Sequence, residues 1–293
     1  MKSKSSSFFI QVILPFITPA LAFYLLFRLI PAFNAFYISF FSWDGIGPMK
    51  FVGLRNWLEL TVDEVFWKAF RNNIFLIIAS VGIEIPVGLL LAYLLMIEPS
   101  IKGKTFFRTA YFNPMMFIPA AIALLWKLIY FPVGGPLNNL LSYLGLPAID
   151  WLGDPSINVW SVIFVVVWQW TGWYFVLSLA GMSSIPTEVI ESAIIDGASK
   201  FRLLRSIIIP LMKSNLFLQI TLAATGSLMY FDLFWIMVEG GGPGHSAEVL
   251  ATWLYKQTFM WSKVGYSCAM AAFLTIVTFL VGFYWIRQVA KAS

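Results

Sequence analysis

Residues 185–210, IPTEVIESAIIDGASKFRLLRSIIIP, form a polar island between two apolar segments that are each long enough to cross a membrane. The island reads as two short helices joined by a turn. Pro186 sets the start of the first helix, over residues 187–195, and Gly197 supplies the left-handed conformation that ends it. Ser199 caps the second helix. That helix carries Lys200, Arg202 and Arg205 on a polar side and Leu203, Leu204, Ile207 and Ile208 on an apolar side, and Pro210 closes it. A glycine after an amphipathic helix is ordinary capping chemistry, so the island acquires meaning only from where the rest of the chain places it.

Hydrophobic residues make up 60% of the 293 and charged residues 11%, against roughly 25% charged in an average soluble domain. This is the composition of a polytopic membrane protein. With so few charges, the formal +5 is no signal for nucleic acid, and the positions of the charges carry the information. One cysteine, Cys268, and one histidine, His245, exclude an internal disulfide, a thiolate cluster and a His-based metal site within the chain.

Working outward from the island, the apolar pattern predicts six spans at about residues 8–40, 72–97, 109–130, 159–182, 215–238 and 265–286, separated by loops at 41–71, 131–158 and 239–264 on one side. The first run exceeds the length of a signal h-region and is read as a retained helix. Pro114 and Pro119 interrupt the third. If both termini face inward, the inner segments hold Lys2, Lys4, Lys102, Lys104, Arg108, Lys200, Arg202, Arg205, Lys213, Arg287 and Lys291. The outer loops hold only Lys50, Arg55, Lys68, Arg71, Lys256 and Lys263. The positive-inside bias therefore predicts an N-in/C-in topology with the island in the cytoplasm.

With that placement, the spelling Glu191-Ser-Ala193-x-x-Asp196-Gly197-Ala198, followed by Ile-x-x-Pro ending at Pro210, resembles the coupling loop of membrane subunits of ATP-binding-cassette (ABC) importers. An ordered series along the chain narrows the resemblance to the sugar-uptake branch of the maltose and glycerol-phosphate type. It comprises FVGLRNW at 51–57, FFRTAYFNP at 106–114, Leu125-Trp126-Lys127, WLGDP at 151–155, GMSSIP at 181–186 and FDLFWIMVEGGGPGHS at 231–246, the last resembling the first of the two permeases such systems encode. Ser192 stands where the family has alanine, and Ser214-Asn215 where relatives often carry a proline; neither touches the glycine turn.

The resemblance implies an all-α integral membrane protein of the type I ABC importer permease fold, one transmembrane domain over residues 1–293, with coupling helices between helices four and five. It implies a multi-pass subunit of a bacterial or archaeal inner membrane that is not an enzyme and holds no cofactor, with ATP and Mg bound by two separate ATPase subunits. A second homologous permease, an extracytoplasmic solute-binding protein, membrane lipid and a sugar or polyol complete the expected partners, with no nucleic acid. Glu191, Ala193, Asp196, Gly197, Ala198, Arg202, Leu204, Arg205, Ile208 and Pro210 are the expected coupling residues. Among them Glu191 and Asp196 fix the turn, while Leu204 and Ile208 with Arg202 and Arg205 meet the ATPase. Gly241, Gly242 and Pro243 are the expected docking turn for the binding protein, with a plain tight turn as the competing reading.

Sugars are bound by aromatic faces against their C–H surfaces and by amides, hydroxyls and carboxylates on their OH groups. Gln169, Trp173, Tyr174, Thr225, Ser227, Tyr230 and Asp232 on helices four and five supply those materials, although interfacial aromatic belts place tryptophans similarly. Arg28 and Lys127 lie toward span ends, where long side chains snorkel. Glu84 lies deeper. Together with Asp232 it would serve an ion-coupled secondary transporter, the main alternative, which usually shows internal repeats that this chain lacks. A membrane enzyme is disfavoured because no constellation of nucleophile, base and metal ligands is present.

Overall fold

In the computed structural model, residues 14–98 and 103–292 are described. Lys2, Lys4 and Lys102, counted above toward the inner side, and the start of the first apolar run lie outside them. Among the described residues five helices are long and apolar enough to span a membrane: Pro15–Ile38, Glu64–Ile97, Asn158–Ser183, Lys213–Met237 and Val264–Trp285. The third expected span is instead a pair, Lys104–Met116 and Pro119–Ile129, bent by 99°. The cause is local. Pro119 forces Ile118 into extended backbone (ψ 137°), and Phe117 is extended as well (ψ 144°), so the helix cannot run straight through.

The chain divides into two compact units, Met1–Asp63 with Leu254–Thr275, and Glu64–Trp253 with Ile276–Ser293. In the first, residues 41–62 are more ordered than a loop. Strands Phe41–Ser42 (β1) and Lys50–Phe51 (β2) pair antiparallel, and helix Arg55–Val62 follows. The FVGLRNW segment explains itself here: buried Asn56 donates to the Ser39 and Phe41 carbonyls at 2.8 and 2.9 Å, and the Trp57 indole donates to Ser39 Oγ at 3.1 Å. Lys263 pairs with Glu59 at 3.2 Å, and the Tyr266 hydroxyl donates to Asp63 at 2.5 Å.

The second unit is built on Glu64–Ile97 (α1), Asn158–Ser183 (α2) and Lys213–Leu228 (α3). The first of these starts eight residues before the expected span. Two apolar clusters hold the unit together, one around Leu76, Val162, Val166 and Phe234, the other around Leu89, Tyr93, Phe175, Met182 and Met212. Small residues allow α2 its close approaches. A Cβ on Gly172 would lie 2.0 Å from the Tyr111 carbonyl oxygen, and one on Gly88 would lie 2.6 Å from the Phe175 nitrogen. In the WLGDP segment, Trp151 stacks on Tyr130 and donates to Asn138, while Ser156 donates its hydroxyl and N–H to Asp154. Those bonds hold the Asp154 carboxyl below the usual carboxylate range.

Three of the four π-turns among the described residues, Leu25–Leu29, Ser80–Glu84 and Leu204–Ile208, share a cause. Each ends two residues before a proline, Pro31, Pro86 and Pro210. Proline has no N–H and its ring collides with the carbonyl four residues back; widening the turn to an i→i+5 bond relieves the collision without ending the helix.

Candidate functional site

The island folds as two helices, Thr187–Ile195 (α4) and residues 200–211 (α5). Gly197 lies at φ +79°, Ala198 N–H donates to the Ala193 carbonyl and Gly197 N–H to that of Ile194, each at 3.0 Å. These are the paired bonds of a Schellman cap, closed by the apolar contact of Ala198 with the cluster that holds Ala193. Ser199 then caps α5 by accepting from the Arg202 N–H. Lys200 ties the second helix to α1 twice, through its ion pair with Glu98 at 3.0 Å and through its carbonyl, which accepts from the Tyr93 hydroxyl at 2.5 Å.

Three expectations for this loop need correction. Ile208 is fully buried against Leu203 and Met212 in the chain's own core and cannot meet a partner. A wheel of 100° per residue puts Leu204 and Ile208 together; the π-turn between them rotates Ile208 onto the inward face of Leu203 instead. For the same reason Pro210 does not close the helix, which continues to Leu211. Glu191 and Asp196 make no side-chain bond among the described residues, so the turn is fixed by its backbone alone.

The exposed surface combines apolar side chains with charges of both signs, Glu188, Glu191 and Asp196 on the first helix and its turn and Lys200, Arg202 and Arg205 on the second. Ile195 is 84% exposed and Phe201 68%, with Ile194, Leu211, Arg202 and Arg205 also exposed, while Leu204 is half-buried. Ile194, Ile195 and Phe201 were missed in the sequence because the partner-facing apolar side was drawn through Leu204 and Ile208 on the second helix. A groove of about 430 Å³ runs between the two helices, lined by Ser192, Ala193, Asp196, Ala198 and Arg202 among others.

Between the two apolar clusters lies a second feature, a cavity of about 450 Å³. Ser80 and Glu84 line it from α1, Trp170, Trp173 and Tyr174 from α2, and Ser227 and Tyr230 from the end of α3; the rest of its wall is apolar. Ser80 donates to Glu84 at 3.0 Å, and Ser227 donates to Ser80 at 3.3 Å.

The fifth expected span breaks beside this cavity. α3 stops at Leu228, and a new helix, Asp232–Met237, begins four residues later. Asn73, which sequence reading passed over, holds the break: its amide donates to the Ser227 carbonyl at 2.7 Å, and its oxygen accepts from the Leu250 N–H at 2.9 Å. An asparagine in an apolar helix facing orphaned carbonyls was the available signal. Replacing Asn73 by alanine leaves a buried carbonyl and a buried N–H unpaired at about 1–3 kcal/mol each. A lowered thermal unfolding midpoint of the solubilised chain is the expected outcome, with Asn139→Ala, an exposed asparagine, as the control.

A family model described as "Binding-protein-dependent transport system inner membrane component" matches residues 61–292. The chain belongs to this family. It is 40% identical over 90% of both chains to a probable ABC transporter permease of Bacillus subtilis, YurN, and 32% identical to NgcF, a diacetylchitobiose uptake permease of Streptomyces coelicolor, over 90% of this chain and 78% of that one. The fold matches, at a TM-score of 0.83 and 19% identity over 99% of both chains, a chain of a bacterial ABC transporter involved in the import of the acidic polysaccharide alginate. The protein is thus a multi-pass inner-membrane permease subunit of a binding-protein-dependent ABC importer.

In this permease the expected path residues do not all meet. Trp173, Tyr174, Ser227 and Tyr230 line the cavity. Gln169 is buried behind it, donating to the Phe117 carbonyl and accepting from the Tyr230 hydroxyl, both at 3.5 Å, and so bridges the two helix breaks. Thr225 turns back to its own helix, donating to the Thr221 carbonyl, and Asp232 is exposed at the start of its short helix.

The 241–244 turn is also more buried than expected of a docking turn. Gly241 is covered by buried Glu248, which bonds His245 at 2.8 Å and accepts from Thr252 at 2.6 Å; only Pro243 and Gly244 stand fully exposed. Lys127, read above as snorkelling, pairs with Glu239 at 3.5 Å.

Proposed function

We propose that this permease forms half of the pathway of an ATP-driven importer for a sugar or polyol, with both termini and the 185–211 loop in the cytoplasm. The loop is the part that separate ATPase subunits grip. The observation that carries the reading is a rigid two-helix knob whose inner face, Leu203, Ile208 and Met212, is locked into the bundle while Ile195 and Phe201 stand out in water. Apolar side chains exposed on a stiff base are the material of a docking hot spot, and Arg202 and Arg205 suit an acidic rim. Motion of the gripped knob reaches the helices through the Lys200 ties and the buried face. ATP and Mg bind in the ATPase subunits, so that the permease is no enzyme; a homologous permease completes the pathway, and an extracytoplasmic binding protein delivers solute near Pro243. The secondary-transporter reading loses its second carboxylate, because Asp232 does not line the cavity of Glu84.

Mild detergent extraction from cells that express the neighbouring transporter genes is expected to bring down a nucleotide-binding subunit. Proton-driven uptake by the purified chain alone would refute the reading. Within it, Ile195→Asp or Phe201→Asp is expected to cost about 2 kcal/mol or more of association, roughly thirtyfold, in a pull-down with the ATPase. Ile208→Ala is expected instead to lower the chain's own stability by about 2–5 kcal/mol.

A further inference from the structure

Glu84 is the one feature of the cavity that import as such does not require. It is 1% exposed and has Ser80 as its hydrogen-bond donor. It sits at the end of a π-turn that the following Ile85-Pro86 imposes, a turn that directs the carboxyl among Trp170, Trp173, Tyr174 and Tyr230. The Trp170 indole N–H is buried beside the Tyr230 hydroxyl, and both residues line the cavity. Among the described residues no lysine, arginine or histidine lines the cavity.

We propose that this cavity selects sugar units by charge, taking neutral and amino sugars and rejecting uronic acids, with Glu84 as the residue that sets the rule. The proposal rests on the sugar-import reading above and names the class of sugar. Aromatic faces stack equally well on all three classes of ring, so they do not discriminate. The carboxyl group does. An entering uronate loses its hydration among apolar walls and meets the Glu84 carboxylate where it would need a cation. An ammonium on the sugar gains a carboxylate partner and several aromatic faces, and a neutral hydroxyl gains hydrogen-bond partners in Glu84 and in the Trp170–Tyr230 pair. The volume, about 450 Å³, lies within the range of small-molecule pockets.

The test uses the purified complex of this permease with its partner subunits and follows saturable quenching of tryptophan fluorescence. The probes are diacetylchitobiose, its deacetylated diamine and digalacturonate. Wild type is expected to bind the neutral or the amino disaccharide at least roughly tenfold more tightly than the acidic one. Glu84→Gln, which keeps the shape and an acceptor for Ser80, is expected to bring the amino and neutral probes within about threefold of each other and to narrow their lead over the acidic probe at least roughly threefold. Trp170→Phe is expected to weaken the neutral and amino probes alike, leaving their ratio in place.

Digalacturonate binding as tightly as the neutral probe in wild type, discrimination unchanged in Glu84→Gln, or no binding of any probe would each overturn the proposal. All three outcomes leave import intact. Failure of the import reading itself shows separately, as absence of a nucleotide-binding subunit from the complex.

Discussion

Gly197→Val is expected to yield a permease that inserts and accumulates normally but neither takes up solute nor supports solute-stimulated ATP hydrolysis. Gly197 lies at φ +79°, and the space where a Cβ would sit is empty, so the penalty is purely conformational. A left-handed residue with a Cβ costs about 1–2 kcal/mol, and a β-branched one is a genuine outlier. The chain can escape the strain by opening the Schellman turn, and that releases Ala198 from the cluster and swings Ser199 away from the Arg202 N–H. The exposed knob then loses its fixed angle while the buried face of α5 stays in place. A graded series tests the cause: asparagine, which tolerates this conformation, should retain most transport, alanine should retain part, and valine none. Normal uptake by the valine variant would show that the turn carries no coupling role.

Gly172→Leu is expected to have the largest effect on folding. Its first side-chain atom alone would fall 2.0 Å from the Tyr111 carbonyl oxygen and 3.0 Å from the Phe112 Cα, which are backbone atoms with no rotamer to yield. Overpacking of this kind costs about 3 kcal/mol or more. It also pushes the Lys104–Met116 helix off α2, taking with it the bend that Gln169 holds. Little folded protein should survive extraction, and Gly172→Ala should already reduce the yield. Gly82→Ala on α1, where nothing lies within 4 Å of the added atom, is the matched control and should behave as wild type.

What could be read in the sequence was what is local. The cap of α4 needs Gly197 and the start of α5 needs Ser199, and both are chemical requirements of adjacent residues, so these two positions were readable, while the role given to Glu191 and Asp196 was not borne out. Five of the spans were readable because each is a continuous apolar run, and the family spellings gave the rest of the frame. What escaped depended on departures from ideal helices. Ile208 was assigned to the partner-facing side because the wheel assumed an unbroken α-helix. The third span was drawn straight because two prolines five residues apart do not announce whether they kink a helix or fold it through 99°. In the cavity, Trp173, Tyr174, Ser227 and Tyr230 were found from their chemistry, but Gln169, Thr225 and Asp232 were grouped with them by composition alone. Asn73 was missed because its function is to satisfy a break that the sequence does not display.

The π-turn at Ser80–Glu84 has a further effect, on the rotational phase of everything beyond it. One residue more than an α-turn requires is stored there, and at about 100° per residue the downstream half of α1 is turned by that angle relative to the upstream half. Without that offset the face now formed by Leu89, Ala92 and Tyr93 would point away from Phe175, and the Tyr93 hydroxyl would not reach the Lys200 carbonyl. A single proline, Pro86, thus sets the angular alignment between the wall of the Glu84 cavity and the base of the two-helix knob, two places that share no side chain.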